Sequence, residues 1–151
     1  MDVDIVHRKP ETYQGEGRER MAVRRIRENQ SFFRRTVLSA YENKCCVTGI
    51  DIEALLVASH IKPWSESDKT EKLNPQNGLC LNALHDRAFD RGLIAVTDDY
   101  TLVVSGQVSH STSAAARKLL LGYDGQEIKL PSRFLPRPDF LSWHRSNVFI
   151  R

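Results

Sequence analysis

Cysteine is scarce in this chain of 151 residues: Cys45, Cys46 and Cys80 are the whole set, an odd number without repeated spacing. That argues against a disulfide framework and for a reducing compartment, the cytoplasm. Long apolar runs are lacking too. The longest, such as Ala54–Ala58, fall far short of the ~20 residues a helix needs to cross a bilayer, so no membrane partner is expected. The first thirteen residues carry acidic side chains and no apolar stretch, which argues against a secretory signal. Internal repeats and low-complexity segments are absent. Charge is nearly balanced, with a formal net value of +3, so the whole-chain figure selects no partner.

What the chain does have is enough apolar material for a core. Hydrophobic residues make up 40% and charged residues 27%, which fits a soluble globular domain of ordinary size and not a disordered chain. The positive charge is unevenly placed. Seven arginines against Glu19 and Glu28 lie between Gly17 and Arg35, a plausible footprint for nucleic acid. On charge alone the same pattern equally suits a solvated helix face.

Residues 1–17 read as a flexible leader, and residues 18–151 as one domain. A helix is expected from about Arg18 to Tyr41, with a break near Asn29 and an apolar face of Ile26, Phe33, Val37, Ala40 and Tyr41. Lys44–Thr48 reads as a short strand and Thr48-Gly49-Ile50-Asp51 as a turn. Leu55–Ala58 reads as a second strand that delivers Ser59 and His60 to its end. Asn74-Pro75 and Asn77-Gly78 are turn signals. From Leu81 the period is helical, with Leu81, Leu84, Ala88 and Phe89 as one stripe and Gly92 as the stop. His85 lies on that stripe and points inward. A hairpin follows at Leu93–Thr97 and Thr101–Ser105, then a helix over Ser111–Leu121. A short strand at Ile128–Leu130 and a last helix capped by Asp139 and running through Val148 complete the chain.

Phosphodiester hydrolysis explains why such residues would be grouped. The attacking water must lose a proton, and a neutral imidazole has a pKa suited to accepting it. The departing and phosphoryl oxygens need positive charge, which a divalent ion supplies. His60 and His85, on different elements of a compact strand–strand–helix unit, can face one phosphate from two sides.

The stretches Cys46-Val47-Thr48-Gly49, Ala58-Ser59-His60-Ile61-Lys62-Pro63-Trp64, Asn77-Gly78-Leu79 and His85 to Leu93 together resemble the HNH endonuclease family, in its branch found in bacterial restriction enzymes. The ending Pro138–Phe149, with Trp143-His144-Arg145, is similar to the tail of that branch. The likeness covers roughly Arg18 to the C-terminus and is densest from Cys46 to Leu93. It implies an α+β fold, a ββα-metal core at about 44–93, extended by an N-terminal basic helix and a C-terminal hairpin and helix.

The same resemblance implies metal-dependent hydrolysis of DNA, restriction or defence related, leaving 5′-phosphate and 3′-hydroxyl ends. His60 would be the general base, Asn77 would brace the loop and orient His60, and His85 would ligate one divalent cation, Mg²⁺ or Mn²⁺, its imidazole favouring the softer ion. Ser59 stands where many members carry an acidic or histidine ligand, so Ser59 and Asp90 are considered as weak or outer partners of the cation. Five residues from His85, Asp90 turns off the His85 face of a straight helix, and Asp86 is expected to be solvated. Lys62, Arg87, Arg91, Arg24, Arg25 and Arg27 are candidate phosphate contacts. No element is clearly built to read base edges, so a homodimer partner or an additional specificity domain or subunit is expected to supply any selectivity.

Two rival readings accompany this one. A non-catalytic nucleic-acid-binding module on the same scaffold would explain Ser59. A cysteine hydrolase would use Cys80 or Cys46 as nucleophile with His60 and Asn77, although Cys80, between Leu79 and Leu81, suits a buried apolar role. No structural zinc is expected, since four thiolates are not available.

Overall fold

The computed structural model describes residues 14–151, with side-chain environments from Gly17 onward. The leader expected over 1–17 lies outside the described residues up to position 13, and from Gln14 the chain is already helical. No helix among the described residues is long and apolar enough to cross a membrane. The chain divides into two units, one ending at Ser31 and one spanning Phe32–Arg151.

Helix α1 runs unbroken over Gln14–Ala40, without the break expected near Asn29. In the first unit every residue from Gly17 to Ser31 is exposed, including Ile26 at 45%, so the apolar face expected for this helix is buried only within the second unit. There Phe33, Val37, Ala40 and Tyr41 join the core. They recur at three- and four-residue steps, the spacing of one helical face.

The second unit is α+β. Strand β1 (Leu56–His60) pairs antiparallel with β2 (Gly78–Asn82), with Ser59 opposite Leu79 and His60 opposite Gly78. Between them lie a short helix α2 (Lys69–Leu73) and a 3₁₀ turn, Pro75–Asn77. Helix α3 (Ala83–Asp90) follows β2 directly. Gly78 has a packing role: a Cβ there would stand 2.5 Å from a Val37 methyl and 3.0 Å from the Phe33 ring. Only glycine lets α1 press on the sheet beside His60.

Three local expectations differ from what forms. Lys44–Thr48 is a loop and not a strand: Gly49, at φ +77°, closes a turn in which Cys45 N–H reaches the Ile50 carbonyl at 2.9 Å. The chain turns back before a ladder can develop: Cys46 N–H bonds to the Cys80 carbonyl of β2, and the Asn82 amide donates to Cys45 Sγ and the Thr48 hydroxyl. The partner of β1 is instead Gly78–Asn82, whose five residues are all buried. Burial on both faces removes the alternation that marks a strand, so Leu81 resembled the start of a helix. The helix begins two residues later, and Leu84 is 45% exposed. Its inward stripe is His85, Ala88 and Phe89.

Gly92 ends α3 at φ +73°, where a Cβ would meet the Val148 carbonyl oxygen at 2.1 Å. Strands β3 (Ile94–Val96) and β4 (Leu102–Val104) then form the expected hairpin. Helix α4 (Ala114–Leu119) is capped by Ser113. Ile128–Leu130 forms no strand: its neighbour Glu127 makes one isolated bridge to Thr101. Helix α5 (Pro138–Asn147) places Pro138 in its first turn, so Arg137 and not Asp139 is the N-cap residue; Asp139 pairs with Arg137 at 2.7 Å. Phe89 and Phe140 are fully buried between these elements, and each large side chain so removed from water stabilises the fold by about 2–3 kcal/mol.

Candidate active site

His60 closes β1 and is half-buried. Its ring stacks on Phe33, with centroids 3.8 Å apart and planes within 9°, and meets Trp64 edge-on at 5.7 Å. Nε2 donates to the Lys72 carbonyl at 2.8 Å. That bond assigns the proton to Nε2 and leaves the Nδ1 lone pair as the basic site. Burial holds the imidazole below its ordinary pKa, against a smaller opposing effect of the Lys72 carbonyl. The ring is therefore neutral at physiological pH. A cleft of about 460 Å³ opens beside it, with Trp64, Asp90 and His144 in its walls.

Asn77 is completely buried and ties together both ends of the segment that holds His60. Its Oδ1 accepts from Lys62 N–H at 2.8 Å, while Nδ2 donates to the carbonyls of Lys62 and Glu71, each at 3.2 Å. Its own carbonyl accepts from Ile61 N–H at 2.9 Å. The asparagine amide thus fixes residues 61–72 in one conformation, and with them the carbonyl that holds the imidazole. Trp64 packs within that segment, under Lys72 Nζ at 4.7 Å.

His85 departs from its expected role. It is 1% exposed, its Nε2 donates to the Leu119 carbonyl at 2.9 Å, and its Nδ1 lies 3.0 Å from the Asn82 amide nitrogen. The Asn82 Oδ1 is committed to the N–H groups of Leu84 and His85, so Nδ2 faces His85 and donates. Both imidazole nitrogens are therefore used inside the protein, and His85 offers no lone pair to a cation in this arrangement. The inward direction read from the sequence holds, and the ring nitrogen expected to meet a cation is engaged by protein here. Burial also lowers its pKa.

Asp86 and Asp90 are four residues apart and share a helix face. Asp86 is half-buried and faces Ser59, not solvent as expected. Burial raises its carboxyl above the ordinary range, opposed by the nearby Ser59 hydroxyl and Arg87. Asp90 is raised by burial and then by the charge of Asp86, opposed by Arg87 and Arg91. Asp90 does lie off the His85 face, as expected, yet that turn brings it into the cleft beside His60. The Ser59 hydroxyl is itself buried and lacks a regular hydrogen-bond partner.

This donor set fits a divalent cation. Asp86, raised by burial, and the more exposed Asp90, raised by burial and by the charge of Asp86, would lose that penalty beside a cation, and the Ser59 hydroxyl lies next to Asp86. No group of three or more His, Cys, Asp or Glu side chains is gathered among the described residues. A hard ion that takes one or two carboxylates and completes its shell with water and phosphate oxygens, as Mg²⁺ does, matches that count. With His85 withdrawn, the argument for a softer ion falls away.

The remaining candidates separate clearly. Lys62 Nζ is paired with both oxygens of Glu71 at 3.1 Å and its side chain is 20% exposed, so its charge is already spent inside the protein. Arg87 on α3 and Arg91, the residue that follows its last turn, are exposed. Arg24, Arg25 and Arg27 are exposed in the first unit, with Arg24 3.9 Å from Glu28. The two thiols that the cysteine reading would use are poor nucleophiles: both are buried, Cys80 is pushed up to about 12 by burial, and Cys46 is raised well above its ordinary value for the same reason.

Residues 45–97 match the family model described as HNH endonuclease. The solved structure titled "Modification dependent TagI restriction endonuclease" is similar over 77% of this chain, with a TM-score of 0.56 and 21% identity. At that identity the likeness is one of fold, and this chain spans 37% of the length of that neighbour. No curated protein matches the chain. Residues 45–97, which hold the paired strands, His60, Asn77 and the carboxylate-bearing helix, therefore form a domain of the HNH endonuclease family.

Proposed function

We propose that this chain hydrolyses DNA phosphodiester bonds with a divalent cation, using His60 as general base. The observation that carries the reading is a neutral imidazole, His60, sharing one cleft with the Asp90 carboxylate, while Asp86, one helical turn before Asp90, meets the neighbouring Ser59. His60 Nδ1 takes a proton from the attacking water, while the Lys72 carbonyl holds the ring through Nε2. Asn77 keeps that carbonyl in place. Asp86 and Asp90, with Ser59 beside them, would hold the cation. A cation so held supplies positive charge to the phosphoryl and departing oxygens. Arg87 on the same helix, Arg91 just past its end, and Arg24, Arg25 and Arg27 in the first unit are proposed to contact backbone phosphates, which position a duplex without reading sequence.

Cleavage of supercoiled plasmid with Mg²⁺ or Mn²⁺, run beside EDTA and His60→Ala protein, tests this. Nicking lost in both controls is expected. Cleavage that survives His60→Ala would remove His60 from the role. A second reading, a nucleic-acid-binding module, is favoured by the lack of a three-ligand cluster among the described residues. It predicts plasmid retardation that weakens with salt and no cleavage with either ion.

A further inference from the structure

The carbonyl that orients His60 belongs to Lys72, and the residue before it, Glu71, bonds through its carboxylate, its N–H and its carbonyl. Its carboxylate accepts from Lys62 Nζ at 3.1 Å through both oxygens and from Asp68 N–H at 3.0 Å. Its backbone N–H donates to Asp68 Oδ1 at 2.8 Å, closing a capping box on α2. Its carbonyl accepts from the Asn77 amide at 3.2 Å. Asn77 makes the matching bonds to the backbone of Lys62. The segment from Lys62 to Glu71 is therefore closed twice, once by Asn77 through the main chain and once by the Lys62–Glu71 ion pair through side chains. The pair is about four-fifths buried on each side, and Lys62 Nζ also lies over the Trp143 ring at 5.9 Å. Exposed pairs contribute little; a pair this enclosed, with its other oxygen bonds made, fixes geometry.

We propose that Glu71, through its pair with Lys62, is a positioning residue for the base: it sets the Lys72 carbonyl at the distance that keeps the His60 proton on Nε2. The proposal rests on the nuclease reading for its consequence, and on the hydrogen bonds alone for its geometry. Without the pair, α2 keeps its Asp68 cap, the Asn77 amide and the contacts of Lys72 with His60 and Trp64, but loses its side-chain link to Lys62. The Lys72 carbonyl then moves, and the ring can carry its proton on either nitrogen. Misplacing a general base in this way costs on the order of 10- to 100-fold in rate.

The proposal opposes a role for Lys62 as a phosphate contact, and the two differ in sign for one substitution. If Lys62 served the phosphate, Glu71→Gln would free its charge and tighten DNA binding. If the pair positions the base, Glu71→Gln lowers kcat with little change in KM, Lys62→Met does the same, and the double variant loses no more than either single one. The full chain carrying Glu71→Gln, Lys62→Met or both would be assayed for plasmid cleavage and for affinity to a duplex. In parallel, ¹⁵N shifts of the His60 ring would be recorded without metal or DNA, with thermal melting to establish that each variant is folded. The expected result is a single Nε2–H form in the parent, averaged ring nitrogens in the variants, and a kcat loss of roughly 10-fold or more at unchanged KM. An unchanged His60 spectrum in folded Glu71→Gln protein overturns the proposal, as does wild-type kcat with tighter DNA binding. A parent protein that leaves plasmid intact defeats the nuclease reading, and the ring spectra still decide the role of Glu71.

Discussion

His85 Nε2 donates to the carbonyl of Leu119 at 2.9 Å, tying α3 to the C-terminal end of α4. The histidine expected to hold the cation is thereby a core hydrogen-bonding residue. His85→Ala removes a fully buried ring and leaves the Asn82 amide and the Leu119 carbonyl without it. The cost in folding stability is roughly 2–4 kcal/mol, a fall of about 5–15 °C in melting temperature for a chain of this size. Calorimetric titration of the folded protein with Mn²⁺ should return the parent affinity. A large loss of affinity at unchanged melting temperature would restore His85 to the ligand role.

Asp86→Asn and Asp90→Asn should behave in the opposite manner. Both carboxyls are raised, first by burial, so their charge is unfavourable in the metal-free fold. Removing it should leave the melting temperature in EDTA unchanged or higher. In Mg²⁺ the parent gains stability by mass action, about 2.7 kcal/mol at a hundred-fold excess over Kd, and the variants do not. The parent's affinity should also weaken as pH falls through the region just above the ordinary carboxylate range, where these raised groups take up protons. A melting temperature that rises equally with Mg²⁺ in all three proteins would show that the cation is held elsewhere.

A second buried histidine ties acid stability to α5. His144 stacks on Phe89 with centroids 3.6 Å apart and donates from Nε2 to the Phe89 carbonyl at 2.9 Å. Burial, opposed by the Phe89 bond and reinforced by Arg145, lowers its pKa to about 4. A depressed histidine stabilises the fold fully above its unfolded value near 6.5 and progressively less as pH falls towards 4. Across that window the loss amounts to about 3 kcal/mol. Urea midpoints measured from pH 7 to pH 4 should fall in the parent and fall less in His144→Phe, which has no proton to take up. Parallel curves would separate the acid sensitivity from His144.

The order of the chain carried more of this domain than its periodicity did. His60, Asn77 and the glycine stop at Gly92 were legible because strand ends, turn dipeptides and helix stops have local chemistry. Strand β2 was not, because Gly78–Asn82 is buried on every residue and so shows no alternation. That error moved the start of α3 by two residues. The inward direction of His85 does not depend on that boundary, and an imidazole turned into the core meets protein partners. The spacing of Asp86 and Asp90 was equally visible, but neither Ser59 nor the His60 cleft could be placed beside them without knowing that β1 pairs with β2. Glu71 gave a weaker signal. The capping box Asp68-x-x-Glu71 is a sequence pattern, whereas its pairing with Lys62 across a loop is a tertiary fact.

The acid limb of activity should report the burial of His60. Its imidazole lies below its ordinary pKa, mainly because burial disfavours the charged form, and Phe33 covers one face of the ring at 3.8 Å. A general base works only when neutral, so kcat should rise with pH and level off below the ordinary imidazole range. Phe33→Leu keeps an apolar side chain on α1 but uncovers the ring. Water then stabilises the imidazolium, the pKa climbs towards its ordinary value, and the limb moves to higher pH. At pH 7.5 the two proteins should cleave at comparable rates, while between pH 5.5 and 6.5, roughly the span over which an unperturbed imidazole titrates, the variant should fall behind. Cleavage rates at saturating Mg²⁺ across that range provide the measurement. A limb unmoved by Phe33→Leu would mean that the rate-limiting proton acceptor is a group other than His60.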